Sequence, residues 1–269
     1  MRDGAQGRAE VIGLLRRHGV NPTKRLGQNF LVDPNTINKI VDFARVGPGD
    51  QVIEVGAGTG TLSRALAATG ATIVAYEIDE HLRPVLDEVL ASVGNVEVRF
   101  ADAAQITLGE GSWTVVANLP YYLSSTLLLD WLQWGPQPER FVVMVQREVA
   151  DRLTAGPGSR VYGIPSVIAR LYGRPATAFR VPSTVFYPQP EVESAVVEIV
   201  RREPPPHARR AAALASVAFG QRRKMLRRSL AGALTDPEAT LTEAGIDPQL
   251  RPEDVDVAGF LALAEVVDG

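Results

Sequence analysis

The sequence predicts an α/β chain, a doubly wound and mostly parallel sheet followed by a small helical domain. Three observations carry this. Short β-branched runs alternate with amphipathic stretches from residue 51 to residue 146, as strand–helix repeats do. A glycine loop, Gly56-Ala-Gly-Thr-Gly60, follows the first of those runs at once and leads into helical spacing, the order in which such sheets present a ligand-binding loop. Glu203-Pro-Pro-Pro-His207 then breaks all regular structure and reads as a linker, with only helical patterns beyond it. The expected domains are therefore 1–202 and 203–269.

In chain order, residues 1–20 hold a helix with Val11, Ile12, Leu14 and Leu15 on its apolar side. Residues 22–31 are polar and basic, ending in the apolar pair Phe30-Leu31. Asp33-Pro34 has the form of an N-cap followed by proline at the first helical position, so a helix runs from Asn35 to about Ala44. Gln51–Val55 is a short apolar strand, and Leu62, Leu66 and Ala67 follow the glycine loop at helical spacing. Thr72–Glu77 is the second strand, with a helix over about Glu80–Ser92. Asn95–Phe100 is the third, Trp113–Ala117 the fourth and Phe141–Gln146 the fifth, with a helix from Ser124 to Trp134 between the last two. A short helix over Arg147–Leu153 and another near Pro165–Leu171 precede two closing strands, around Ala176–Val181 and Ser194–Val200. The closing segment is dominated by a basic helix from about Ala208 to Leu230.

Composition removes several function classes. Of 269 residues, 45% are hydrophobic, ample for a sizeable core. No apolar run reaches the ~18 residues a membrane span needs, and Met1-Arg-Asp-Gly does not read as a signal peptide, so a soluble cytoplasmic chain without membrane partners is expected. With no cysteine and three scattered histidines (His18, His81, His207), disulfides and thiolate sites are excluded and no metal is expected. The net charge of −3 hides an uneven distribution: from Pro204 to Thr235 there is no acid, while Arg209, Arg210, Arg222, Arg223, Lys224, Arg227 and Arg228 fall in that window. A helix carrying like charges four residues apart is disfavoured alone; a polyanion such as nucleic acid is the expected partner, a solvated face the alternative.

The chemistry concentrates at Asn118-Leu119-Pro120-Tyr121, just past the carboxyl end of the fourth strand, where open α/β sheets bind ligands. Pro120 fixes its own φ and keeps Leu119 out of the helical region. The result is a stiff turn that holds an amide and carbonyls for a flat, nitrogenous substrate such as the amino edge of adenine. Tyr121 offers a face for stacking. The competing reading is an ordinary strand-to-loop turn. The glycine loop fits neither G-x-G-x-x-G nor the phosphate-loop pattern; it suits a cofactor lacking pyrophosphate, and by itself separates methyltransferases from nicotinamide enzymes only weakly. Glu77, about 20 residues on, suits ribose hydroxyls or, alternatively, a helix N-terminal charge, a role that fits Asp79 better. Asp102 fits an adenine amino group and an N-cap equally.

Gln28-Asn-Phe-Leu31, Glu54–Gly60, Tyr76–Asp79, Asn118–Tyr121, Phe186–Val197 and Phe219–Arg228, in this order and spacing, resemble the ribosomal RNA adenine N6,N6-dimethyltransferase family, and among its members the bacterial enzymes acting on small-subunit (16S) rRNA. The resemblance runs from about residue 20 to the C-terminus. It implies a Rossmann-like class I methyltransferase domain with a seven-stranded sheet, and S-adenosylmethionine as cofactor, held by Asn29, Leu31, Gly56, Gly58, Glu77, Asp102 and Asn118. It also implies a monomeric enzyme that dimethylates two adjacent adenosines in the 3′-terminal hairpin of 16S rRNA, within the immature small ribosomal subunit. Asn118, Leu119, Pro120, Tyr121 and Phe186 then form the catalytic group, with Tyr121 and Phe186 clamping the base; for Phe186 a core aromatic is the competing reading, against which the nearby prolines Pro188 and Pro190 and the resemblance weigh. Arg222, Arg223, Lys224, Arg227 and Arg228 become the RNA contacts. Tyr122 and Glu191 depart from the family pattern and bear on substrate preference. The sibling enzymes of large-subunit rRNA, an assembly factor with secondary methylation, and a DNA adenine methyltransferase are the competing functions; the last commonly carries an acid where Asn118 stands.

Overall fold

Alternating runs become alternating strands and helices in the computed structural model, which describes residues 6–121, 124–135 and 137–269. In chain order the first half holds α1 (Arg8–Arg17), β1 (Phe30–Leu31), α2 (Pro34–Ala44), β2 (Gln51–Val55), α3 (Thr61–Ala67), β3 (Thr72–Glu77), α4 (Arg83–Leu90), β4 (Val96–Phe100) and β5 (Trp113–Asn118). There follow α5 (Ser124–Gln133), β6 (Arg140–Gln146), α6 (Arg147–Thr154), α7 (Ile164–Tyr172), β7 (Gly173–Val181), β8 (Phe186–Tyr187) and β9 (Ser194–Arg201). The chain closes with α8 (Ala208–Gly220), α9 (Leu226–Ser229), α10 (Pro237–Glu243) and α11 (Val257–Asp268).

Seven strands form one sheet in the order β4-β3-β2-β5-β6-β9-β7. Neighbours from β4 to β6 are parallel, and β9 runs antiparallel to β6. Winding proceeds from β2 outward to β3 and β4, then restarts at β5 and goes the other way, so the switch point lies between β2 and β5. Open α/β sheets bind ligands at that crevice. Here the glycine loop and Asn118 emerge side by side, β2 and β5 being paired with Ile53 opposite Val115.

By its packing the chain divides into two compact units. The first comprises Met1–Trp131, Gly135–Ala150 and Ala176–Val200. Its core follows the periodicities: α2 buries Ile37, Ile40, Val41 and Ala44 on one face, each large side chain contributing about 1.5–3 kcal/mol. Asp33 caps α2 as the sequence suggests, accepting from the Thr36 amide. At the other end Arg140 donates to the carbonyls of Phe43 and Ala44 and pairs with Glu198, satisfying carbonyls that the helix leaves open.

The second unit comprises Leu132–Trp134, Asp151–Pro175 and Arg201–Gly269. The boundary expected at residue 202 therefore marks only its last segment, because α7 packs against α8 within this unit and buries Val167, Ile168 and Leu171. Tyr162 meets Phe219 edge-on at 5.8 Å, and Phe219 lies 6.2 Å from Phe260.

The long basic helix is corrected. It stops at Gly220, and the chain turns through residues 221–225 before the four-residue α9. Met225 is extended, and the Leu226 and Arg227 amides donate to the Leu250 and Pro248 carbonyls. Bonds to another segment thus replace helical ones, and the predicted rows of like charge do not form.

Candidate active site

A cleft with about 890 Å³ of empty space, part of it open solvent, lies at the carboxyl ends of β2, β3, β4 and β5. Its floor is the glycine loop, one wall is Leu26–Phe30, another is Tyr76–Ile78 with Ala101–Ala104, and Asn118–Tyr121 closes the end.

The loop is held open by backbone geometry. Gly56 has φ +77°, and a Cβ there would lie 3.7 Å from the Asn118 carbonyl. Gly58 has φ +57°, with the Phe30 ring 3.1 Å from where a Cβ would sit. Only glycine adopts these conformations without strain, so main chain rather than side chain faces the cleft. Glu77, at the end of β3, is buried and ties the loop in place. One carboxylate oxygen accepts from the Gly58 amide at 2.8 Å, the other from Ile78 and Asp79 at 2.9 Å each. Burial pushes its carboxyl above the ordinary range, and the three amides pull against that rise. A carboxylate has about four acceptor sites, so one remains for a ligand hydroxyl.

At the cleft's end Asn118 donates its side-chain amide to the Asn29 carbonyl at 3.1 Å, and Asn29 donates its own to Gly27 at 3.0 Å. The turn after β5 divides its carbonyls. Pro120 accepts from the Ser124 amide, and Tyr121 from the Ser124 hydroxyl. No described residue donates to the Leu119 carbonyl or to the Asn118 side-chain oxygen. The Tyr121 ring is steered by a 2.7 Å hydroxyl contact with Ser194, a fully buried residue at the start of β9.

Asn29, Gly56, Gly58, Glu77, Asp102, Asn118, Leu119, Pro120 and Tyr121 all line this one cleft; Leu31 and Phe186 do not. Leu31 pairs with Phe186 across the β1–β8 ladder, and both are buried in the core. Phe186 as a base clamp is therefore corrected: with no exposed surface it packs rather than stacks on a ligand. Asp102 lines the cleft and takes the capping role with one oxygen, accepting from Ala104 at 2.9 Å, while no described residue donates to the other. Tyr122 lies outside the described residues, and Glu191 is exposed.

The five basic candidates split. Arg222 is held by Glu253 at 2.6 Å and Arg227 by Glu238 at 3.3 Å, acids that lie beyond the acid-free window of the sequence. Arg223, Lys224 and Arg228 are exposed, with no acid partner among the described residues.

Three residues in or next to the site stand within the motifs quoted above but received no role from the sequence. Ile78 lines the cleft and is 52% exposed; its signal is an apolar residue between two acids at a strand end. Gln28 donates to Asp79 at 2.7 Å and accepts from the Thr23 amide, fixing the wall before β1; it heads the Gln28–Leu31 motif, but nothing local announces its partner. Glu54 is buried in β2 and takes a hydrogen bond from Ser63. Desolvation pushes its carboxyl up to about 8. A lone acid inside an apolar strand was the available signal.

The comparisons agree with this geometry. The family described as "Ribosomal RNA adenine dimethylase" matches residues 19–268. The chain is 45% identical over 259 residues to "Ribosomal RNA small subunit methyltransferase A" of Phenylobacterium zucineum, covering 93% of this chain and 90% of that one. It is 45% identical over 275 residues to the protein of the same name from Nocardia farcinica, covering 96% and 94%. Among solved structures, the 23S rRNA methyltransferase ErmE superposes with a TM-score of 0.70 at 28% identity, over 90% of this chain and 100% of that one. A dimethyladenosine transferase from Plasmodium falciparum gives 0.74 at 22% identity, over 87% and 95%, and shows the shared fold. A cleft built from a glycine loop, an acid after β3 and Asn-Leu-Pro-Tyr after β5, together with a match over nearly the whole length, places this chain in the ribosomal RNA adenine dimethylase family.

Proposed function

We propose that this cleft binds S-adenosylmethionine and a flipped-out adenine side by side, and that the chain dimethylates N6 of two adjacent adenosines in the 3′-terminal hairpin of 16S rRNA. The enzyme is an S-adenosylmethionine-dependent rRNA adenine dimethyltransferase. The single observation that carries the reading is the juxtaposition of the glycine loop and Asn118 at the switch point, with the Asn118 oxygen and the Leu119 carbonyl left as acceptors.

The residues fit the cofactor. Gly56 and Gly58 hold the left-handed backbone that turns the loop along the cleft, Glu77 keeps an acceptor site for the ribose, Ile78 offers an apolar surface to the adenine face, and Asp102 a second oxygen outside its cap. Asn29 belongs to this wall through its contact with Asn118. When bound, S-adenosylmethionine supplies an electrophilic methyl group.

Every other task belongs to the chain. The adenine amine is a weak nucleophile because its lone pair is delocalised into the ring. Asn118 Oδ1 and the Leu119 carbonyl accept its two hydrogens and favour a pyramidal nitrogen, so catalysis rests on position and polarisation rather than on a strong base. The proton released after attack passes to water or one of these carbonyls. The Tyr121 ring, oriented through Ser194, stacks on the base and stabilises the positive charge that develops. Extruding the adenine costs a few kcal/mol, less in a hairpin loop. After the first transfer the nitrogen turns and presents its remaining hydrogen to the same acceptors.

Small-subunit rRNA is favoured over large-subunit rRNA by the relatives at 45% identity, whose names specify the small subunit, against 28% for ErmE. The enzyme works as a monomer in the cytoplasm, where the subunits assemble; no helix of the described residues is long and apolar enough to cross a membrane. Primer extension on small- and large-subunit RNA, after incubation with the chain and labelled cofactor, tests this. Stops at two adjacent adenosines near the 3′ end of 16S rRNA are expected; incorporation into large-subunit RNA alone overturns the substrate.

A further inference from the structure

In the second unit, Trp134 is an exposed aromatic that the reaction does not use. It is 64% exposed, far more than a tryptophan placed for packing, and the Arg209 guanidinium lies over its ring at 4.9 Å from the centroid. Arg209 has no acid partner among the described residues, whereas its neighbour Arg210 is held by Asp268 at 2.9 Å. Burial pushes the Tyr172 phenol up, and the charges of Arg209 and Arg201 pull against that rise. The Tyr172 hydroxyl is buried and has no hydrogen-bond partner among the described residues. Of the acids, Glu203 faces Arg201, and Asp268 is occupied by His207 and Arg210.

An open indole face backed by arginine is the arrangement that binds single-stranded nucleic acid. The base stacks on the aromatic, the cation meets the phosphate, and each stacked base contributes about 1–3 kcal/mol. An acidic or apolar protein partner would use the arginine or the indole, but not the pairing of a π face with a phosphate-ready cation.

We propose that Trp134 and Arg209 form an RNA platform separate from the 222–228 segment: an unpaired base stacks on the indole, and its phosphate pairs with Arg209. The proposal rests on the rRNA reading above.

The test titrates the full-length chain with a short fluorescent oligouridylate and with protein-free 16S rRNA. Trp134→Ala weakens binding about tenfold, within the range for one stacked base, while Trp134→Phe keeps most of the affinity. Arg209→Ala lowers the salt slope of log K by about one. S-adenosylmethionine affinity stays unchanged in all three. Photocrosslinking of the wild-type chain adds uridine to the peptide bearing Trp134, a readout that needs no variant to fold. Unchanged affinity in Trp134→Ala, or no crosslink at that peptide, overturns the platform. So does a loss seen on intact small subunits but not on protein-free RNA, which assigns the surface to a ribosomal protein. Methylation by the wild-type chain is followed in parallel: its absence overturns the rRNA reading and the platform with it, whereas intact methylation with unchanged Trp134→Ala binding removes the platform alone.

Discussion

Asn118 donates its side-chain amide to the main-chain carbonyl of Asn29, 3.1 Å away, and this bond decides which end of the carboxamide a substrate meets. With the nitrogen engaged, the oxygen is the end left for the amino hydrogens of adenine. Asn118→Ala should keep the fold and RNA binding and lower single-turnover methylation by about 10²–10³, by analogy with one lost oxyanion-hole donor. Asn118→Asp retains acceptor oxygens but sets a carboxylate against the Asn29 carbonyl, so it should not rescue the rate. A loss below threefold in Asn118→Ala removes the residue from the mechanism.

Glu77 joins the cofactor wall to the glycine loop through its contacts with Gly58, Ile78 and Asp79. Glu77→Ala should weaken S-adenosylmethionine binding by about 1.5–3 kcal/mol, as for a hydrogen bond to a charged acceptor. Titration calorimetry reads this directly; unchanged affinity in a folded variant withdraws the ribose contact.

For Phe186, burial in the core predicts a stability effect in place of a catalytic one. Phe186→Ala should destabilise the chain by about 3–5 kcal/mol, read as a shift in the urea midpoint. Phe186→Leu should fold and methylate at near the normal rate. If Phe186→Leu instead keeps its midpoint and loses methylation, the aromatic face is part of the site after all.

These residues show where the sequence was legible. Strand and helix periodicity, the Asp33 cap and the glycine loop are local features, set by neighbours in the chain, and each reads directly from spacing. Phe186 misled because flanking prolines suggest a displayed aromatic, whereas its burial depends on β8 pairing with β1, residues more than 150 positions away. The basic helix misled for a related reason: charge and helical spacing are local, but the break after Gly220 depends on amides that find carbonyls at Pro248 and Leu250. The bond between Gln28 and Asp79 is likewise long-range and leaves no periodic trace.

Glu54 gives the chain a pH dependence of known sign. Its carboxyl is pushed from 4.5 to about 8, first by burial, with Glu77 adding to the rise and the Ser63 hydrogen bond opposing it. Between about pH 4.5 and about pH 8 the folded state keeps a proton that the unfolded chain has released. The folded state thus binds more protons, and stability falls as pH rises through that window. Glu54→Gln carries no charge in either state and loses this slope. Urea midpoints should therefore favour the variant increasingly from about pH 5 to about pH 8. Parallel curves for the two proteins would show that Glu54 ionises freely in the folded chain.

The basic segment should separate into two functional halves. Arg222 and Arg227 hold Glu253 and Glu238, so their charge is partly neutralised and their loss loosens the second unit. Arg223, Lys224 and Arg228 are exposed without an acid partner among the described residues, which leaves their charge for phosphate. Changing Arg223 and Arg228 to Ala should weaken binding of the small subunit. It should also lower the salt slope of log K by about one per lost phosphate contact, about two in all. S-adenosylmethionine affinity should not move, because the cleft is built entirely from the first unit. Changing Arg222 instead should lower thermal stability, since breaking one partner of a pair leaves Glu253 uncompensated, and should change the slope less. A salt titration of the wild type beside both variants reads the difference. If Arg223 and Arg228 can be removed with slope and affinity unchanged, this turn serves as scaffold and the RNA contacts the chain elsewhere.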